Sequence, residues 1–225
     1  MLAILMLRQE ERYDESINYV DTLIESEGEE RRLLLLKANL LKESSKLQDA
    51  IKVLKKLIEK DPKQDHYYFS GAVMYDELND KENTIEYLQK CIDVNPKNSN
   101  ALNYLGYTYV EYYDNKYDVA EDLILRAIKL EPENGYYIDS LGWLYYKKGD
   151  FQSAKNSLEK AVKYVADDAV ILEHLAKVYY ELGRTGNASR VAKKALVYAP
   201  SSDDRNVSIR LNELLELLGE KPSGK

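Results

Sequence analysis

Two histidines, one cysteine, one tryptophan and 39 carboxylates are the side chains of this 225-residue sequence with the clearest capacity for chemistry or ion binding. Acid–base catalysis needs two carboxylates held in different environments, and Asp139 with Glu173 is an example of such a pair. The simpler reading of both is charge on solvated helix faces, because a chain this rich in acids always offers pairs. His66 and His174 are isolated, so neither a His-rich metal site nor joint ligation is expected, and both read as polar residues at the surface or in a groove. Cys91 is alone, which excludes an internal disulfide, and reads as a small buried residue. The sequence contains no Walker-type phosphate loop, dinucleotide glycine fingerprint, zinc-protease helix or nucleophile elbow. The expectation is therefore no enzyme, no catalytic residue, no metal and no cofactor.

The elements that position these residues are legible in the spacing of the prolines. The chain has only ten glycines and five prolines, few for a loop-rich fold. Pro62 and Pro96 are 34 residues apart, Pro96 and Pro132 are 36 apart, and Pro132 and Pro200 are 68 apart, twice 34. Gly28 precedes Pro62 by another 34. A fixed period of this size means stacked supersecondary units. Each interval carries one small-and-large code, clearest in Ile138, Leu141, Gly142, Tyr145, Ala154, Leu158 and Ala161. It recurs in Leu172, Leu175, Ala176, Tyr179, Ala188, Ala192, Ala195 and Pro200, and in Leu102, Leu105, Gly106, Tyr109, Ala120, Ile124, Ala127 and Pro132. Looser copies are Tyr68, Ala72, Tyr75, Thr84, Leu88, Cys91 and Pro96, then Leu34, Ala38, Leu41, Ala50, Leu54, Leu57 and Pro62. Small residues stand where two antiparallel helices, A and B, approach closely. The tyrosine fills the gap between them, and proline follows helix B because it cannot continue the ladder.

This code resembles the tetratricopeptide repeat. The resemblance implies an all-α, right-handed superhelical solenoid of antiparallel helix pairs that binds other proteins. The expected organisation is a partial repeat at 1–30, repeats at 31–64, 65–98, 99–134, 135–168 and 169–201, a capping helix at 202–219 and a tail at 220–225. In the cap, Ser202 and the Asp203–Asp204 pair look like a helix start. Val207, Leu211, Leu214, Leu215 and Leu218 form its apolar stripe, and Arg205, Arg210, Glu213 and Glu216 are expected to face water. The two additional residues of the 36-residue interval fall in 112–118, a lengthened turn that is either a plain surface loop or a contact built on Tyr112, Tyr113 and Tyr117.

The second, fifth, ninth and twelfth A-helix positions resemble the family's concave-groove set. They hold Phe69, Val73, Asn103, Tyr107, Asp139, Trp143, Tyr146, Lys177 and Tyr180, the expected peptide-binding groove, with Leu35, Asn39, Asp76, Glu111, Tyr136 and Glu173 beside them. Aromatic rings trimmed with carboxylates suit a peptide or partner helix carrying apolar and basic side chains. Several of these rings could instead pack between adjacent A helices. One subclass of the family clamps a partner's C-terminal carboxylate with Lys and Asn. Here Asn39 matches, but Leu35, Phe69, Ser70, Asn100 and Tyr104 depart from that set, so such a clamp is not expected.

With 32 basic against 39 acidic residues the net charge of −7 repels phosphate backbones, so no nucleic-acid partner is expected. The apolar opening 1–7 meets Arg8 too early for a signal-peptide core or a membrane span, so direct membrane insertion is not expected either. As an incomplete edge of a stack it is a candidate for self-association, or for continuation into further repeats upstream. The stretch Ile138–Trp143 with Tyr145 resembles a variant found in bacterial envelope proteins, among them lipoprotein adaptors that deliver substrates to processing proteases. That resemblance implies an envelope or periplasmic setting, against a cytoplasmic one. An arm of a larger enzyme is the other functional class left open.

Overall fold

The computed structural model describes residues 2–202 and 204–220. Met1, the Asp203 of the expected cap start and the tail beyond Glu220 lie outside the described residues. Among those residues the chain forms thirteen α-helices and two short 3-10 helices, with no strand. It divides into two compact units, 1–101 and 102–225.

The first unit contains α1 (Leu2–Gln9), α2 (Tyr13–Glu27), α3 (Arg31–Glu43), α4 (Leu47–Lys60), α5 (Asp65–Glu77) and α6 (Lys81–Val94). Its core is the repeat code itself: Leu34, Ala38, Ala50, Leu54, Leu57, Ala72, Leu88 and Cys91 are all buried. Gly71, beside the code's Ala72, stands where other repeats carry Leu105, Leu141 and Leu175, and it is small because Tyr87 occupies the space. A Cβ there would lie 2.5 Å from the Tyr87 ring, so any side chain would require that ring or the helix crossing to shift. Burial pushes the Cys91 thiol up to about 12, which suits an inert packing group rather than a nucleophile. The edge helix α1 buries Ile4 but leaves Leu5 and Met6 half exposed.

Helix α7 (Ser99–Tyr112) crosses into the second unit, where it is followed by α8 (Tyr117–Leu130), α9 (Gly135–Lys147), α10 (Phe151–Tyr164), α11 (Ala169–Glu181), α12 (Thr185–Tyr198) and α13 (Val207–Leu217). A Cβ on Gly142 would meet Leu158 at 2.6 Å and one on Gly106 would meet Ile124 at 2.7 Å, the close A–B crossings that the sequence pattern predicts. The turns from α9 to α10 and from α11 to α12 pass through Gly149 (φ 79°) and Gly183 (φ 70°), a left-handed conformation available to glycine without a steric penalty. Asp150 then caps α10 by accepting from the Ser153 amide.

Two details differ from the sequence reading. The capping helix begins at Val207, not in the 202–204 segment, because Ser202 and Asp204 use their side chains in local turns, accepting from the Asp204 and Asn206 amides. The lengthened turn after α7 folds on itself as a 3-10 helix, Asp114–Lys116. Tyr117 donates its hydroxyl to Asp114 at 2.9 Å and Tyr113 packs edge-on against Tyr109 at 5.9 Å, so two of its three tyrosines serve the turn.

Candidate functional site

Helices α7, α9 and α11 bring Tyr107, Asp139, Trp143, Tyr146 and Lys177 into one cluster on the A-helix side of the second unit. Trp143 is its centre. The indole is sandwiched between the His174 ring, with centroids 4.0 Å apart and planes 13° from parallel, and the Tyr146 ring at 4.6 Å and 6°. Its Nε1–H donates to Glu111 Oε1 at 2.5 Å. The ammonium groups of Lys147 and Lys177 lie 5.5 and 5.4 Å from the ring centroid, within cation–π reach. Only 7% of Trp143 remains exposed, so most of this ring is spent on contacts between A helices.

Around the indole runs a chain of paired charges. His174 Nδ1 lies 2.9 Å from one carboxylate oxygen of Asp139 and 3.2 Å from the other. Glu173, on the next position of α11, receives Arg210 Nε at 2.7 Å, Arg210 Nη2 at 2.5 Å and Lys177 Nζ at 2.5 Å. Arg210 also reaches Asp204 at 2.7 Å. Burial on its own would raise the Glu173 carboxyl, but hydrogen bonds from Arg210 and Lys177 overcome it and hold the group below its ordinary value. Tyr107, half-buried against this cluster, has its hydroxyl pushed up first by burial and then by Glu111 and Asp139.

This network corrects the sequence reading at three residues. Asp139 and Glu173 do not lie on solvated faces: Asp139 is 6% exposed and Glu173 is fully covered. Arg210 turns inward from the capping helix instead of facing water, while His174, read as a surface or groove residue, is buried within the A-helix cluster. Each was misread because one decisive partner sits roughly one repeat away, His174 for Asp139 and Arg210 for Glu173, and contributes nothing to the local pattern. A usable signal was present, however. Asn103, Asp139 and Glu173 occupy the fifth position of three successive A helices, and a polar residue kept there in register suggests a ladder rather than a scatter of surface charge.

The remaining expected groove residues are placed as follows. Tyr180 is half-buried and packs with Tyr146 against the core around α11 and α12. Asn103 is half-buried on α7, and its Oδ1 is enclosed with no hydrogen-bond partner. Phe69 and Val73 are half-buried on α5, in the first unit. Among the described residues no cluster of three or more His, Cys, Asp or Glu side chains is arranged to hold a metal ion, and no helix is long and apolar enough to cross a membrane.

Stacked antiparallel helix pairs, with a recurring packing code inside and side chains that differ between repeats along the A helices, define a helical-repeat scaffold for protein binding. The tetratricopeptide-repeat pattern matches residues 1–65 and 140–204, and a second form of the same repeat matches 66–98. The chain belongs to the tetratricopeptide-repeat family. A tetratricopeptide-repeat-containing protein of Pseudomonas aeruginosa is 42% identical over 57 residues, which is 25% of this chain and 10% of that protein. The chain thus spans about a tenth of the length of the curated relative it matches. Among solved structures, a tetratricopeptide-repeat protein from Parabacteroides merdae superposes with a TM-score of 0.81 at 15% identity, covering 97% of this chain and 85% of the other. PilW, a type IV pilus biogenesis factor, gives 0.71 at 16% identity with 84% and 86% covered. MamA gives 0.63 at 20% identity with 76% and 92% covered. At these identities the likeness is one of fold.

Proposed function

We propose that this chain is a non-enzymatic protein-binding scaffold whose A-helix side holds a peptide or partner helix carrying apolar and basic side chains. The observation that carries this reading is the second unit's cluster: α9 and α11 present large rings and charges at positions the repeat's own packing code leaves unused. Trp143, Asp139 and His174 form the rigid floor, while Tyr146, Lys177 and Tyr180 are the half-open residues available to a ligand. Asn103 and Tyr107 flank them on α7. Phe69 and Val73 occupy the corresponding positions of α5 and are proposed as a contact region of the first unit in its own right.

The test uses the natural partner captured from the source cell. A buried aromatic anchor contributes about 2 kcal/mol in a well-packed interface, so Tyr180→Ala should weaken binding at least tenfold. Tyr164→Ala, at an exposed side chain near the end of α10, should leave affinity unchanged. The reverse pattern would move the binding face to the B helices.

Two finer roles are distinguished by the captured partner. The 138–143 stretch supports a substrate-delivery adaptor for a bacterial envelope protease, and a capture dominated by a protease would favour it. A regulatory arm of a larger multidomain enzyme is the other, and a capture dominated by a catalytic polypeptide would favour it. Self-association through α1 rests on exposed Leu5 and Met6. Sedimentation should then show Leu5→Glu with Met6→Glu reducing the oligomer.

A further inference from the structure

Beside the charge network, on the same side of the second unit, lies a cleft of about 230 Å3 that the cluster does not fill. Its apolar walls are Tyr146 of α9, Tyr180 of α11, and Leu214 and Leu217 of the capping helix α13. Leu217 is 68% exposed, an apolar side chain with nothing yet packed over it. Sites for drug-sized ligands start at roughly 300 Å3, so this cleft suits one or two side chains of a larger partner rather than a small molecule.

The charges around the cleft select the partner. Lys177 and Arg210 both line it, yet their cations are already engaged: both meet Glu173, and Arg210 also meets Asp204. Two cations therefore face two carboxylates, and that set is neutral. Glu181 and Glu213 also line the cleft. Glu181 meets the Tyr146 hydroxyl, which burial and then this carboxylate push up, and makes no ion pair among the described residues. Glu213 is exposed and makes no hydrogen bond or ion pair among the described residues. The uncompensated charge at the rim is negative, and an anionic partner would meet it without any free cation to offset the repulsion.

We propose that this cleft between α9, α11 and α13 is the docking site for a partner segment that presents a large aliphatic or aromatic side chain next to a lysine or arginine. The apolar side chain covers Leu217 between Tyr146 and Tyr180, and the cation sits among Glu181 and Glu213. The capping helix is thus part of the binding surface, not only a cover for the last repeat. This inference rests on the A-helix side being the binding face.

The experiment pans a phage-displayed library of random 12-residue peptides against the whole chain, then measures selected peptides, labelled with fluorescein, by anisotropy. Selected sequences should pair Lys or Arg with Leu, Ile, Phe or Met. Leu217→Ser should weaken them about tenfold, and Glu181→Lys with Glu213→Lys about tenfold or more. All three residues are exposed, and unchanged circular dichroism would confirm that the variants fold. Panning against the double charge reversal should enrich Asp and Glu instead. Peptides that ignore Leu217, Glu181 and Glu213 but are lost with Tyr107→Ala or Phe69→Ala overturn the cleft while leaving the A-helix face in place. Peptides lost only with Tyr164→Ala on α10 overturn both.

Discussion

Glu173 has no exposed surface and is held by two cations, Arg210 from the capping helix and Lys177 one turn along α11. Removing one partner of a buried pair leaves charge behind without full compensation, which is why such losses are costly. Because Lys177 remains, Arg210→Ala should destabilise by about 2 kcal/mol, less than for an isolated buried pair. The pH dependence has a definite sign. Arg210 and Lys177 hold the folded carboxyl below its ordinary value of 4.5, so their contribution is fully present above that pH and is lost as pH falls through the folded value. The stability gap between the native chain and Arg210→Ala, read from urea melts, should therefore shrink between about pH 7 and about pH 3. A gap that widened in acid would mean Glu173 is not the residue being compensated. At this scale the sequence was least informative. The sequence drew attention to aromatic and carboxylate residues on the A helices, but burial of Asp139, Glu173 and His174 is decided by helices supplying neighbours from 35 or more residues away.

Helix pairing, by contrast, was legible almost completely, because the A–B crossing imposes size limits that recur at fixed sequence spacing. Gly142 and Leu158 illustrate this: the two are 16 residues apart, the same offset as Gly106 and Ile124 within two residues, and each glycine admits its partner's side chain into contact with the backbone. Adding one methyl at Gly142 requires Leu158, itself fully buried, to move. Gly142→Ala should cost about 1–3 kcal/mol by overpacking despite alanine's better helix propensity. Gly186 provides the matched control. It lies in the first turn of α12 with nothing within 4 Å of the added methyl, so Gly186→Ala should be neutral or stabilise by up to about 1 kcal/mol. Thermal melts of the two variants should move in opposite directions or, at the least, differ by several degrees, and equal shifts would show that the close crossing does not limit the repeat. The capping helix was legible in its apolar stripe but not in its start, since Ser202 and Asp204 are equally good at capping helices and at forming turns, and here both accept from amides two residues on.

At the scale of the whole chain the decisive quantity is the net charge of −7, and it bears on how a partner arrives rather than on how the helices pack. Within the cluster the charges are paired and partly enclosed, so their mutual attraction is weakly screened by salt. The exposed excess of acids acts at longer range: the Debye length falls from about 30 Å at about 10 mM salt to about 8 Å at about 150 mM. A basic, apolar-anchored peptide should therefore associate about tenfold more slowly at the higher salt, because screening removes the steering field. Its dissociation rate should change far less, since that rate is set by the apolar contacts and the desolvated part of the interface. Stopped-flow anisotropy on a peptide from the library separates the two rates directly. An association rate that rises with salt would mean the partner is acidic and the protein's excess charge opposes binding. An unchanged association rate paired with a salt-sensitive dissociation rate would place the important ion pairs inside the interface, and the reading of Lys177 and Arg210 as already neutralised by Glu173 would then fail.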